Sequence, residues 1–110
     1  MKLLIVVHKD DVALDRFMGA ARAEKLCGFT LFDSSGIGRT TENKRLEFSI
    51  GGLSDLLKGS RFSNSTLLSF VEDERLGRVL ELMKHHLGDL EQPGAGLYAV
   101  LNVESFGGIE

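Results

Sequence analysis

Two glycine turns hold the best candidates for chemistry in this chain. Gly36-Ile37-Gly38-Arg39 closes a strand-like run, and Gly94-Ala95-Gly96 follows Pro93 just before another. Glycines let a backbone bend sharply and expose its N–H groups, and an adjacent arginine pairs with a phosphate through two parallel hydrogen bonds. The first turn is therefore a candidate anion site, with a bulge that ends a strand as the plainer alternative. The second turn can also cradle an anion, although it has no lysine and such a sequence more often makes only a tight turn. The histidines are His8, His85 and His86. His85 and His86 are neighbours on a helix and point apart, whereas two helical metal ligands want an i, i+4 spacing. A metal site between subunits stays open. No pairing of a nucleophile with a base is visible, so a non-enzymatic role is expected.

Between the first turn and the next clear strand lies a long, mostly polar stretch, Thr40 to Asn64. Connections in a compact domain usually run to about 4–6 residues, and a much longer one is functional or disordered as a rule. Lys44, Arg45, Lys58 and Arg61 stand against Glu42, Glu47 and Asp55, so the stretch is nearly balanced in charge. Arg45 to Ile50 alternates like a strand, and Leu53, Leu56 and Leu57 suit one helical turn. The stretch fits a partner or a ligand equally well.

Regular elements must hold these turns in place. Leu3 to Val7 is a continuous run of branched apolar residues and reads as a buried strand. Asp10 or Asp11 caps the helix that follows, whose Leu14, Phe17, Met18 and Ala21 share one face. Gly28 is read as its stop, and Phe29 to Asp33 as strand two. Strand three is Thr66 to Val71. Asp73 is expected to cap a second helix, with Leu76, Val79, Leu80, Met83, Leu87 and Leu90 on one stripe. Glu91 to Gly96 forms a turn, and Leu97 to Val103 is strand four. The order β-α-β, long loop, β-α-β is the split β-α-β pattern. It predicts one α+β, ferredoxin-like domain over residues 1–110, a four-stranded antiparallel sheet with both helices on one face. The other face should alternate with polar residues if it meets water. It does not: strand one has none, strand three offers Thr66 and Ser69, and strand four Tyr98 and Asn102. A second copy of the chain is the expected cover.

Composition narrows the classes. One hundred and ten residues, 43% apolar and 26% charged, suit a single folded domain. A net charge of −3 argues against nucleic-acid binding, which needs a basic footprint. The apolar run at the N-terminus is too short for a signal segment, and no stretch is long enough to span a membrane. Cys27 is the only cysteine, so no disulfide forms within the chain and a reducing compartment fits. A soluble, cytoplasmic protein is expected.

Over nearly its whole length the chain resembles the PII family of signal-transduction proteins. The run from Gly28-Phe29-Thr30-Leu31 through Gly36-Ile37-Gly38-Arg39 looks like the family's strand leading into its T-loop. Thr40 to Asn64 takes the T-loop's place, and the later elements fall in family order. The resemblance implies a homotrimer that binds adenine nucleotides in clefts between subunits and docks its T-loop on a transporter, enzyme or regulator. By position, Gly36, Ile37, Gly38 and Arg39 would then line the nucleotide at the base of the T-loop. Gly94 and Gly96 would stand near the family's B-loop. The chain also departs from the pattern. The B-loop has no lysine, the residues after the last strand include no arginine, Thr40 replaces a glutamine, and the loop has no tyrosine for uridylylation. These losses point to a nucleotide with fewer phosphates. Two further readings stay open: a PII-shaped interaction module without a ligand, and a divalent-metal-binding trimer like the CutA proteins.

Overall fold

Burial along the first strand sets the architecture. A computed structural model describes residues 1–36, 62–92 and 96–109. In β1 (Lys2–His8), Leu4, Val6 and His8 are buried, while Leu3, Ile5 and Val7 between them are only half-buried. Side chains alternate across a strand, so the first set faces the helices and the second faces away. The remaining elements are α1 (Asp11–Ala23), β2 (Thr30–Gly36), β3 (Phe62–Val71), α2 (Asp73–Leu87) and β4 (Leu97–Asn102). The strands form one antiparallel sheet in the order β2-β3-β1-β4. This is the expected ferredoxin-like α+β arrangement.

One core lies between the helices and the sheet. Leu14, Phe17 and Ala21 from α1 meet Val79, Leu82, Met83 and Leu87 from α2 over Leu4, Val6, Leu67 and Val71. The apolar face read for α1 is therefore the buried one. On α2, Val79, Met83 and Leu87 are buried as the stripe predicts, and Leu76 and Leu80 pack at its margin. Leu82 is buried as well, although it lies off that stripe. Leu90 packs on the core from beyond the helix, because Gly88 at φ +79° ends α2 earlier and donates its N–H to the Lys84 carbonyl at 3.0 Å.

Several boundaries differ from the sequence reading, among them strand two, which runs from Thr30 to Gly36 and so three residues past Asp33. Asp10 caps α1, accepting the Ala13 N–H at 3.1 Å. On α2, Glu72 occupies the cap position without a side-chain hydrogen bond. Asp73 is instead the first helical residue and accepts the Met1 ammonium at 2.8 Å, which holds its carboxyl below the usual carboxylate range. Gly28 does not stop α1. Lys25 does, in a left-handed conformation at φ +57°, while the Leu26 N–H returns to the Ala21 carbonyl at 3.0 Å. An L-residue with a Cβ pays about 1 kcal/mol or more for that conformation. Lys25→Gly is therefore expected to stabilise the domain by roughly 0.5–1 kcal/mol, read as a higher urea midpoint at unchanged slope. Strand three also begins sooner than read: residues 62–64, assigned to the loop from the sequence, belong to β3. Arg45 to Ile50 and Leu53 to Leu57 lie outside the described residues.

The second helix is tied to the end of the first. Arg78 grips Glu24 with both ends of its guanidinium, Nε to Oε1 and Nη2 to Oε2, each 2.8 Å. Its Nη1 reaches Glu81 at 3.1 Å. The Glu24 carboxyl is pulled below its ordinary range and the Arg78 guanidinium is raised. Arg75 donates to the Lys25 carbonyl at 2.7 Å, just past the end of α1.

The face away from the helices is apolar and uncovered in the single chain. Register places Leu3 beside Phe70 and Leu101, and Ile5 beside Leu68. Phe32, Phe70, Leu97 and Leu101 on this face are 46, 40, 45 and 45% exposed. Of the polar residues that the sequence offered as relief, Ser69 and Tyr98 belong to the helix-facing side. Ser69 is only 2% exposed and donates to the Gly28 carbonyl at 2.7 Å. Thr66 alone among the strand-three candidates lies on the open face, where its hydroxyl meets that of Ser34 at 2.7 Å. No helix among the described residues is long and apolar enough to cross a membrane.

Candidate functional site

Four strand ends meet at one end of the sheet. β1 ends there at His8 and β2 at Gly36, while β3 and β4 begin there. Both glycine turns therefore open at this end. Gly36 is the last residue of β2, opposite Phe62. Ile37, Gly38, Arg39 and Gly94 lie outside the described residues.

Gly96 has a steric reason of its own. Its φ is +126°, a region that L side chains rarely enter. A Cβ there would fall 2.7 Å from the Val7 carbonyl oxygen and 2.9 Å from Cδ2 of His8. The turn thus brings its backbone against the end of β1, which only glycine allows. His8, 7% exposed, accepts the Asp10 N–H on Nδ1 at 3.0 Å. This contact assigns the ring proton of the neutral form to Nε2. The strand-ending histidine therefore serves the β1–α1 corner.

Gly36 and Gly96 do not come together within one chain. β2 and β4 are opposite edges of the sheet, three strand spacings or about 14 Å apart. Gly36 also lies three residues beyond the Ser65–His8 row, about 10 Å further along the strands. A ligand only a few ångströms across cannot touch Gly36 and Gly96 of the same chain.

What the sequence reading missed is a polar groove at the same end of the sheet. It has a volume of about 480 Å³ and is lined by Lys9, Asp11, Asp33, Ser34, Ser35, Asn64 and Ser65. Ser65 is 4% exposed and donates to Asp11 Oδ1 at 2.6 Å. Asp11 is free for this because Asp10 takes the capping role. The signal was present in the sequence. Asp33-Ser34-Ser35 ends one strand and Ser63-Asn64-Ser65 begins the next, and the hairpin register pairs these triplets. The missing information was that β3 starts before Ser65.

The other candidates for chemistry are dispersed. The His85 and His86 rings pack edge to face, with centroids 4.8 Å apart. No group of three or more His, Cys, Asp or Glu among the described residues is placed to hold a metal ion. Cys27 is half-buried, and burial pushes its thiol up, away from the reactive thiolate.

Fold and site together define a ferredoxin-like α+β domain with one open apolar sheet face and its polar and glycine-bearing residues gathered at one sheet end. Comparison with known proteins finds no family model and no curated protein that matches the chain.

Proposed function

We propose that this chain is a PII-like regulator. Three copies assemble, an adenine nucleotide with few phosphates binds in the clefts between them, and residues 40–64 carry the signal to a partner protein without catalysing a reaction. The observation that carries this reading is the pairing of an uncovered apolar sheet face with two glycine turns on opposite edges at the same sheet end. The first feature calls for neighbouring copies. The second gives each cleft between copies one turn from either side. Gly36 and Arg39 would come from one subunit, and Gly94 and Gly96 from the next. An intracellular setting follows from this role and from the single cysteine.

Light scattering followed by thermal shift tests it. The expected result is a trimeric mass and a rise of several degrees with one of ATP, ADP, AMP or cyclic AMP, since saturation at 100 times the dissociation constant adds about 2.7 kcal/mol. The rise should disappear in Arg39→Ala. A trimer that no nucleotide stabilises would remove the ligand from the proposal and leave an interaction module. On the open face, Leu101→Glu is expected to turn the trimer into monomers with unchanged helix content, because a buried carboxylate at the interface has no partner. A Leu101→Glu trimer would place the subunit contact elsewhere.

A further inference from the structure

The polar groove beside the β1–α1 corner is lined by residues of one chain. It presents both signs of charge. Asp33 is the cross-strand partner of Ser65, and Ser65 donates to Asp11, so two carboxylates flank one buried hydroxyl on the helix-facing side of the sheet. Asp11 uses only Oδ1 in that contact. The side chains of Asp33 and Lys9 make no hydrogen bond or ion pair with the described residues. Elsewhere in the domain some charged groups are paired: Arg78 with Glu24 and Glu81, Arg75 with Glu72, and Met1 with Asp73. Unused donors and acceptors converging on one cavity are the mark of a ligand site, and about 480 Å³ falls in the usual range of roughly 300–1,000 Å³.

We infer that this groove binds a free amino acid as its zwitterion. The carboxylates of Asp11 and Asp33 take the ligand's ammonium, the Lys9 ammonium takes its carboxylate, and Ser35 orients it through a neutral hydrogen bond. A simple anion would meet two carboxylates. A simple cation would meet Lys9. A ligand carrying both charges a few ångströms apart satisfies the whole lining. The inference rests on neither trimer nor nucleotide, and it gives the chain a second input close to the start of residues 37–61.

Isothermal titration of the full chain with each standard L-amino acid tests it. At least one is expected to bind, and its N-acetyl and C-terminal amide forms should each bind about tenfold more weakly or worse, since each loses a charge-assisted contact. Lys9→Ala and Asp33→Asn, both at exposed positions, should weaken the amino acid about tenfold or more with no change in helix content. Arg39→Ala should leave it unchanged, which separates this site from the nucleotide cleft. Binding by no amino acid would overturn the inference. So would equal binding of the blocked forms, unaltered affinity in both groove variants, or stabilisation by magnesium or calcium alone.

Discussion

Truncating Phe17 to alanine is expected to cost about 3–5 kcal/mol, the largest effect of any single substitution considered. Phe17 is fully buried at the centre of α1 and packs edge to face on Phe29, with ring centroids 5.6 Å apart. It lies in the one cluster where both helices meet β1 and β3. Removing the ring loses its burial, its aromatic contact and the packing around the cavity that remains. A domain of this length has roughly 5–15 kcal/mol in total, so the variant should sit near its unfolding threshold. The midpoint should fall by on the order of 15 °C. The comparison has to be made at one protein concentration, because assembly would shift both midpoints by mass action. A loss below about 1 kcal/mol would mean that the helix–sheet contact is not the principal core.

The fold was legible because its signals were local and repeated. Leu14, Phe17, Met18 and Ala21 mark one helical face, and Leu3 to Val7 marks a strand with apolar residues on both sides. From these the split β-α-β order follows, and so does the open apolar face. That face is in fact more apolar than the sequence suggested, since strand register turned Ser69 and Tyr98 toward the helices. Boundaries were less legible, because they depend on which of several competent residues takes a role. Asp10 and Asp11 could each cap α1. Asp10 does, and Asp11 is left to receive Ser65. Lys25, which has no intrinsic preference for the left-handed region, ends α1 in place of a glycine three residues later. The tertiary contact of its carbonyl with Arg75 accompanies that choice.

The candidate site was legible only in part. The glycine turns were visible as motifs, but the distance between β2 and β4 belongs to the strand order, which no local pattern encodes. The polar groove depended on two steps beyond the motif: the early start of β3 and the register that sets Asp33 opposite Ser65. Single polar residues at strand ends look like loop solvent until pairing places them side by side.

Gly96 separates structural need from ligand contact. Gly96→Ala is expected to destabilise the domain by about 2–4 kcal/mol in the absence of any ligand, through a disfavoured φ and a Cβ pressed against backbone. The Val7 carbonyl cannot swing aside as a long side chain would, because β1 is paired on both edges, with β3 and with β4. Relief requires β4 to shift at Leu97, and Leu97 is one of the exposed residues of the open face. The variant should therefore lose assembly as well as stability. Urea denaturation and light scattering together measure both. A Gly96→Ala chain as stable as the parent, still trimeric, but unable to bind a nucleotide that the parent binds would reverse the assignment. The glycine would then be there for the ligand's approach and not for the approach of β4 to β1. Gly36 provides the contrast. It is the terminal residue of an edge strand, opposite Phe62. Gly36→Ala should cost well under 1 kcal/mol, so a loss of nucleotide binding there would report on the cleft and not on the fold.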